Sequence, residues 1–218
     1  MPGTIRIGLL DNDQDVRSGR KLLFSSLPNT EVVFDSDGTM ADLEPIQASL
    51  IDVLVIDQKL TFGSGIDFYS SLRDLVGVKQ APPAILTASF TQPDLLFQAL
   101  SVGVIDVVAI EQGAERLVDA IQKARSFLDV YSLAAIREMV SSQPRIRQVD
   151  LNFVSLVDQL PEKLASNLRR LKGLWQKEDM TKLEQYDFNS MKEIVSRLPV
   201  VSATELLLAL EKSGLLDD

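Results

Sequence analysis

The chain has 218 residues, a length that suits one or two domains with a substantial core. Apolar residues make up 45% and charged residues 24%, the balance of an ordinary globular protein rather than a disordered one. There is no cysteine and no histidine, which excludes disulfide scaffolds, thiolate or imidazole metal sites, cysteine nucleophiles, histidine triads and phosphohistidine relays carried by this chain.

Charge and hydropathy exclude more. Lys plus Arg is 22 against Asp plus Glu 31, a formal net charge of -9. Residues 1 to 143 carry -8 of it and residues 144 to 218 carry -1. An acidic first part repels phosphate backbones, so a nucleic-acid role cannot rest on it. The uncharged stretch Gln80 to Pro93 is short and holds three prolines, whereas a spanning helix needs roughly 20 apolar residues without such breaks. Asp11 arrives before any signal-peptide apolar run can develop. A cytoplasmic protein without membrane contact is expected.

Five short apolar runs follow in chain order: Ile5 to Leu10, Glu31 to Phe34, Val53 to Ile56, Ala84 to Leu86 and Val104 to Ile110. Segments of helical spacing separate them, such as Val16, Leu22, Leu23 and Leu27, or Ile66, Phe68, Tyr69 and Leu72. Alternation of strand and helix over this length predicts a doubly wound α/β domain with five parallel strands and helices on both faces. Its functional site is expected in the crevice at the carboxyl ends of the strands.

A helix is expected to begin near Gly113 and to continue beyond the first domain. Leu117, Ile121, Ala124, Leu128, Tyr131 and Ala135 repeat with a period of 3.5, which suits a coiled-coil seam or a rigid arm. The other reading packs the first half on the sheet and the second half on the following domain. The expected division is 1–126 for the α/β domain, 127–143 for the extended helix or linker, and 144–218 for a smaller all-α domain, with Pro144 marking the boundary. In that last part Val154, Val157, Leu160, Leu164, Leu168, Leu171 and Trp175 trace an apolar face. Pro161 is expected to start a helix, and capping pairs Thr181/Glu184, Ser190/Glu193 and Ser202/Glu205 to open others. A final helix should end near Gly214 and bury Leu206, Leu207 and Leu210.

The polar residues at the strand ends carry the chemistry. The first strand runs into Asp11, Asn12 and Asp13, the third into Asp57, and the fourth into Thr87 and Ala88. Carboxylates gathered at one crevice can hold a hard divalent cation, and a nearby carboxylate could then attack phosphorus while a hydroxyl bonds a phosphoryl oxygen. A single aspartate at such a place more often starts a turn or caps a helix. Three strand ends bearing Asp, Asp and Thr together favour a site.

With Leu10-Asp11-Asn12, Val55-Ile56-Asp57 followed by Gly65, Ile85-Leu86-Thr87-Ala88 and Gly103, the chain resembles the receiver domain of two-component response regulators over about residues 4 to 126. The resemblance implies the flavodoxin-like receiver fold, a cytoplasmic phosphoprotein that is not an enzyme, and protein partners including a histidine kinase. It implies Asp57 as phosphoacceptor and Thr87 as switch hydroxyl. It also implies a weak Mg2+ pocket of Asp11, Asn12, Asp57 and the backbone carbonyl of Lys59. Four departures stand against that pattern. Asn12 replaces an acid, and Ile110, beside Ala109, occupies the place of the family's lysine. Val107 replaces the switch aromatic, and Thr61 replaces a proline. The expectation is an atypical response regulator, with weak or absent Asp57 phosphorylation, acting through protein–protein contacts. It requires an acidic bowl of Asp11, Asp57 and Thr87 that no basic group faces.

Other readings use the same chain. A conventional phosphorylation-switched regulator with a DNA-binding helical output would use Arg169, Arg170, Lys172 and Lys177 around Trp175. A haloacid-dehalogenase-like phosphatase would use Asp11 as nucleophile and Asp13 as acid, but leaves Asp57 idle and lacks a later acidic pair. A homodimer is expected, through the seam or through apolar surface at Leu95, Leu96, Phe97 and Leu100.

Overall fold

A computed structural model of the chain describes residues 4–125, 131, 133–142, 149–176 and 188–216. The chain divides into two compact units, Met1–Leu128 and Asp129–Asp218.

The first unit is a five-stranded parallel sheet. β1 (Ile5–Leu10), β2 (Thr30–Ser36), β3 (Val53–Asp57), β4 (Ala84–Ala88) and β5 (Asp106–Ala109) run in the spatial order β2-β1-β3-β4-β5. The central strands are buried along their lengths, as their unbroken Val, Ile and Leu runs require of a sheet covered on both faces. α1 (Gln14–Ser26), α2 (Leu43–Ala48), α3 (Gly65–Val76), α4 (Pro93–Ser101) and α5 (Gly113–Arg125) connect and follow them. The chain steps outward from β1 to β2, then returns to place β3 on the other side of β1. That reversal opens a crevice beyond the carboxyl ends of β1 and β3.

Two expectations are corrected here. The fifth strand is shorter than the run Val104 to Ile110: Val104 and Ile105 are buried before it, and Ile110 leaves it to open a single 3-10 turn. The apolar surface expected on α4 is also smaller than its four residues: Leu100 is buried, and Leu95 and Leu96 pack partly against the sheet core while remaining half-buried.

The 3.5-residue repeat does not lie on one continuous helix. α5 is described over Gly113–Arg125, Tyr131 sits in a bend, and α6 is described over Leu133–Ser142. Leu117, Ile121 and Ala124 are buried on the first unit, whereas Ile136 and Met139 are buried in the second. Leu128 and Pro144 lie outside the described residues.

The second unit is helical throughout its described residues: α6, α7 (Leu151–Asp158), α8 (Glu162–Gln176), α9 (Phe188–Arg197) and α10 (Ala203–Lys212). Pro161 stands immediately before α8 and its carbonyl accepts from Leu164 and Ala165, so the ring sits where it interrupts no helical bond. Ser202 caps α10 by accepting from the Glu205 N–H at 3.0 Å, while the Glu205 carboxylate reaches the Val201 N–H at 2.8 Å. Leu206, Leu207 and Leu210 are buried, and Gly214 follows at a φ of +71°. Ser190 lies inside α9 rather than at its start, so it is not the cap its spacing suggested. Thr181, Glu184 and Lys177 lie outside the described residues.

Candidate functional site

Parallel pairing builds the site. Asp57 and Thr87 are direct partners in the register of β3 and β4, both as the last or next-to-last residues of their strands. The Thr87 hydroxyl is 3.2 Å from Asp57 Oδ1 and can donate to it. Asp57 Oδ2 accepts the Lys59 N–H at 2.9 Å, which turns the chain as it leaves the sheet. The loop then closes through Gly65, whose N–H donates to the Gln58 carbonyl at 2.9 Å. Gly65 starts α3 so close to β3 that a Cβ would press on the Asp57 carbonyl oxygen and come within 2.8 Å of Ile56 Cγ2. Thr61, in place of the proline, is tied sideways: its hydroxyl reaches Asp37 Oδ2 at 3.2 Å.

Asp11 lies just beyond β1 and is only 2% exposed. Its Oδ1 accepts the Asp13 N–H at 2.8 Å, and its Oδ2 is paired with Arg20 Nη1 at 2.7 Å. Arg17, one turn earlier on α1, donates to the Asp11 backbone carbonyl. Burial pushes the Asp11 carboxyl up; the Asp13 N–H and then Arg20 pull it down, and nearby Asp57 and Asp13 push it up.

The expectation of a bowl that no basic group faces is therefore corrected. Arg20 enters from α1, a residue that the reading of the strand ends did not include. Its signal was present in the spacing: Arg17 and Arg20 stand three residues apart on the helix leading out of Asp11, hence on one face. The cation serves Asp11 only. Asp57 has no ion-pair partner among the described residues. Ile110, in the lysine's place, is 58% exposed and brings no charge. Val107 is buried in the sheet core.

Asp13 is tied to the start of the first helix through one carboxylate oxygen, Oδ1. Its carboxylate caps α1, accepting from the N–H groups of Asp15 at 2.8 Å and Val16 at 3.2 Å. Among the described residues no group of three acidic side chains is placed to hold a metal ion. Of the donor set Asp11, Asn12, Asp57 and the Lys59 carbonyl, the Asp11 carboxylate already meets a guanidinium and an N–H, and a divalent cation there would compete with Arg20.

The basic run of the second unit surrounds an aromatic that is not open to solvent. Trp175 is 6% exposed, with the Arg137 guanidinium 5.8 Å from its ring centroid. Arg169 is paired with Glu162. No helix among the described residues is long and apolar enough to cross a membrane.

No family model matches the chain. It is 28% identical over 132 residues to a protein-glutamate methylesterase/protein-glutamine glutaminase of Rhodopseudomonas palustris, covering 55% of this chain and 35% of that protein. It is 27% identical over 135 residues to the DNA-binding transcriptional activator DevR/DosR of Mycobacterium tuberculosis, covering 61% of each. The chain thus spans about a third and about three-fifths of the lengths of these curated relatives. Among solved structures, the signal receiver domain of NarL from Mycobacterium tuberculosis superposes with a TM-score of 0.52 at 22% identity, over 57% of this chain and 98% of that one. A LuxR-family two-component response regulator from Aurantimonas superposes with a TM-score of 0.56 at 22% identity, over 64% and 97%. The α/β unit has the fold of response-regulator receiver domains, and further helices follow it.

Proposed function

We propose that the chain is an atypical response regulator, a signalling module that works through protein–protein contacts, with Asp57 phosphorylated weakly or not at all. The observation that carries this reading is the state of Asp57. It has the hydroxyl of Thr87 and the N–H of Lys59 but, among the described residues, no cation to draw a phosphoryl group in or hold it there. The basic group found in the bowl is committed to Asp11, so it leaves that deficit in place. The rim supports a binding role. Met40, Phe62, Phe90 and Ile110 are large, apolar and exposed, and they lie on four loops that follow strands at the same edge as Asp57. Nothing in this reading requires turnover. The methylesterase relative is an enzyme by its name, but only 35% of it is covered.

Incubation of the full chain and of Asp57→Ala with magnesium and a small phosphodonor, followed by intact mass, tests the reading. Little or no gain in the wild type is expected. A stoichiometric gain of one phosphate that disappears in Asp57→Ala would restore the conventional switch.

A second reading, DNA binding by the helical unit, is favoured by the name of the transcriptional activator to which the chain is similar. The pairing of Arg169 and the burial of Trp175 weigh against it. Salt-dependent retardation of a nonspecific duplex by the full chain would reverse that order.

A further inference from the structure

We infer that Arg20 is a built-in counter-ion: its guanidinium takes the Asp11 carboxylate that a divalent cation would need, so the Asp11 side of the bowl is neutralised from within and closed to metal. A carboxylate with so little exposure cannot stay ionised without a partner. The chain supplies that partner from its own first helix, with the Arg20 side chain 11% exposed and that of Asp11 3% exposed. Both arms of the contact are fixed locally. Asp13 caps α1 and at the same time presents its own N–H to Asp11, so the helix that carries Arg20 is anchored to the residue Arg20 must meet.

Each carboxylate oxygen of the bowl already accepts one hydrogen bond and keeps a second lone pair, so the obstacle to a cation is charge rather than a shortage of donors. Asp11 Oδ1 and Oδ2 are both engaged, and the Asp11 backbone carbonyl accepts from Arg17. Asp57 Oδ1 and Oδ2 are engaged by Thr87 and Lys59. A divalent ion entering here would meet the like charge of Arg20 at the Asp11 carboxylate until that guanidinium moved away. Moving it means breaking a pair buried in a medium that screens it poorly. Asn12 contributes no charge to offset that loss.

The inference concerns the same bowl as the proposed function and rests on that reading only for the choice of probe ion. The full-length wild type, Arg20→Gln and Arg20→Gln/Asp11→Asn are titrated with Mn2+, and free ion is counted by electron paramagnetic resonance. The wild type should leave Mn2+ free into the millimolar range. Arg20→Gln should bind it at least about tenfold more tightly, and the double variant should lose the gain. Millimolar-or-tighter binding by the wild type, or an unchanged titration of an Arg20→Gln protein that circular dichroism shows to be folded, would overturn the inference. Should Arg20→Gln fail to fold, the wild type alone decides. No shift of its thermal midpoint on adding Mg2+ is expected, and a rise that saturates with Mg2+ would refute the closed bowl. Phosphate gain on Asp57 is scored separately by mass. Labelling without metal binding would sink the proposed function and leave the counter-ion standing.

Discussion

Thr87 Oγ1 lies 3.2 Å from Asp57 Oδ1 because β3 and β4 pair in a register that sets the two residues side by side. Thr87 is 2% exposed, so its hydroxyl has few alternatives to this contact and a longer one to the Ile56 carbonyl at 3.4 Å. Thr87→Val keeps the shape and removes the donor. It should destabilise the protein by about 0.5–1.5 kcal/mol, read from urea unfolding, while Thr87→Ser should retain most of that stability.

Two glycines should respond in opposite directions to the same substitution. At Gly65 a Cβ would meet the Asp57 carbonyl and Ile56 Cγ2, so α3 could not start where it does. Gly65→Ala should cost about 1–3 kcal/mol, the range of overpacking. Gly19 lies within α1 and a Cβ there would meet nothing within 4 Å. Gly19→Ala should stabilise by about 0.5–1 kcal/mol, because alanine loses less backbone freedom in a helix interior. Thermal midpoints of the two variants against the wild type check both signs.

Ile110 offers a gain-of-charge test of the missing cation. It follows Ala109, which pairs with Ala88, the residue after Thr87. Its side chain is exposed, so Ile110→Lys should change stability by no more than about 0.5 kcal/mol. The new ammonium would stand on the edge that carries Asp57. The fraction of protein labelled by a small phosphodonor should rise above wild type in intact mass, and the rise should vanish when Asp57 is also changed to Ala.

The parts of this architecture legible in the sequence are those that local pattern controls. Ile5 to Leu10 and Val53 to Ile56 are continuous apolar runs, each followed by aspartate, and both form buried strands that deliver Asp11 and Asp57 to one edge. Val104 and Ile105 are equally apolar yet stand outside β5, since hydropathy reports burial and not strand pairing. The repeat from Leu117 to Ala135 divides between the units: Leu117, Ile121 and Ala124 are buried in the first, whereas Tyr131 and Ala135 are half-buried and the buried residues of α6, Ile136 and Met139, stand one position out of phase. The pairing of Arg20 with Asp11 was hardest to foresee. It joins a strand end to a helix, and the spacing of Arg17 and Arg20 marks a shared helical face without saying which carboxylate that face meets.

Lys212, at the end of α10, makes stability depend on pH at alkaline values. Burial pushes its ammonium below the ordinary lysine value, and Glu205 opposes that shift without cancelling it. The unfolded chain therefore holds a proton on this lysine over a window in which the folded protein has begun to release it. In that window the unfolded state binds more protons, so stability rises with pH. The window extends from the depressed folded value up to about 10.4, the ordinary lysine value. Above it both states are neutral and the contribution is complete; below the folded value both are protonated and the contribution is lost. Lys212→Gln removes the titration, so the difference in unfolding free energy between wild type and variant should grow in favour of the wild type as pH climbs through the window. Urea unfolding at a series of pH values from neutral to alkaline measures it. A difference that stays flat, or that shrinks with rising pH, would contradict the burial of this ammonium in the folded second unit.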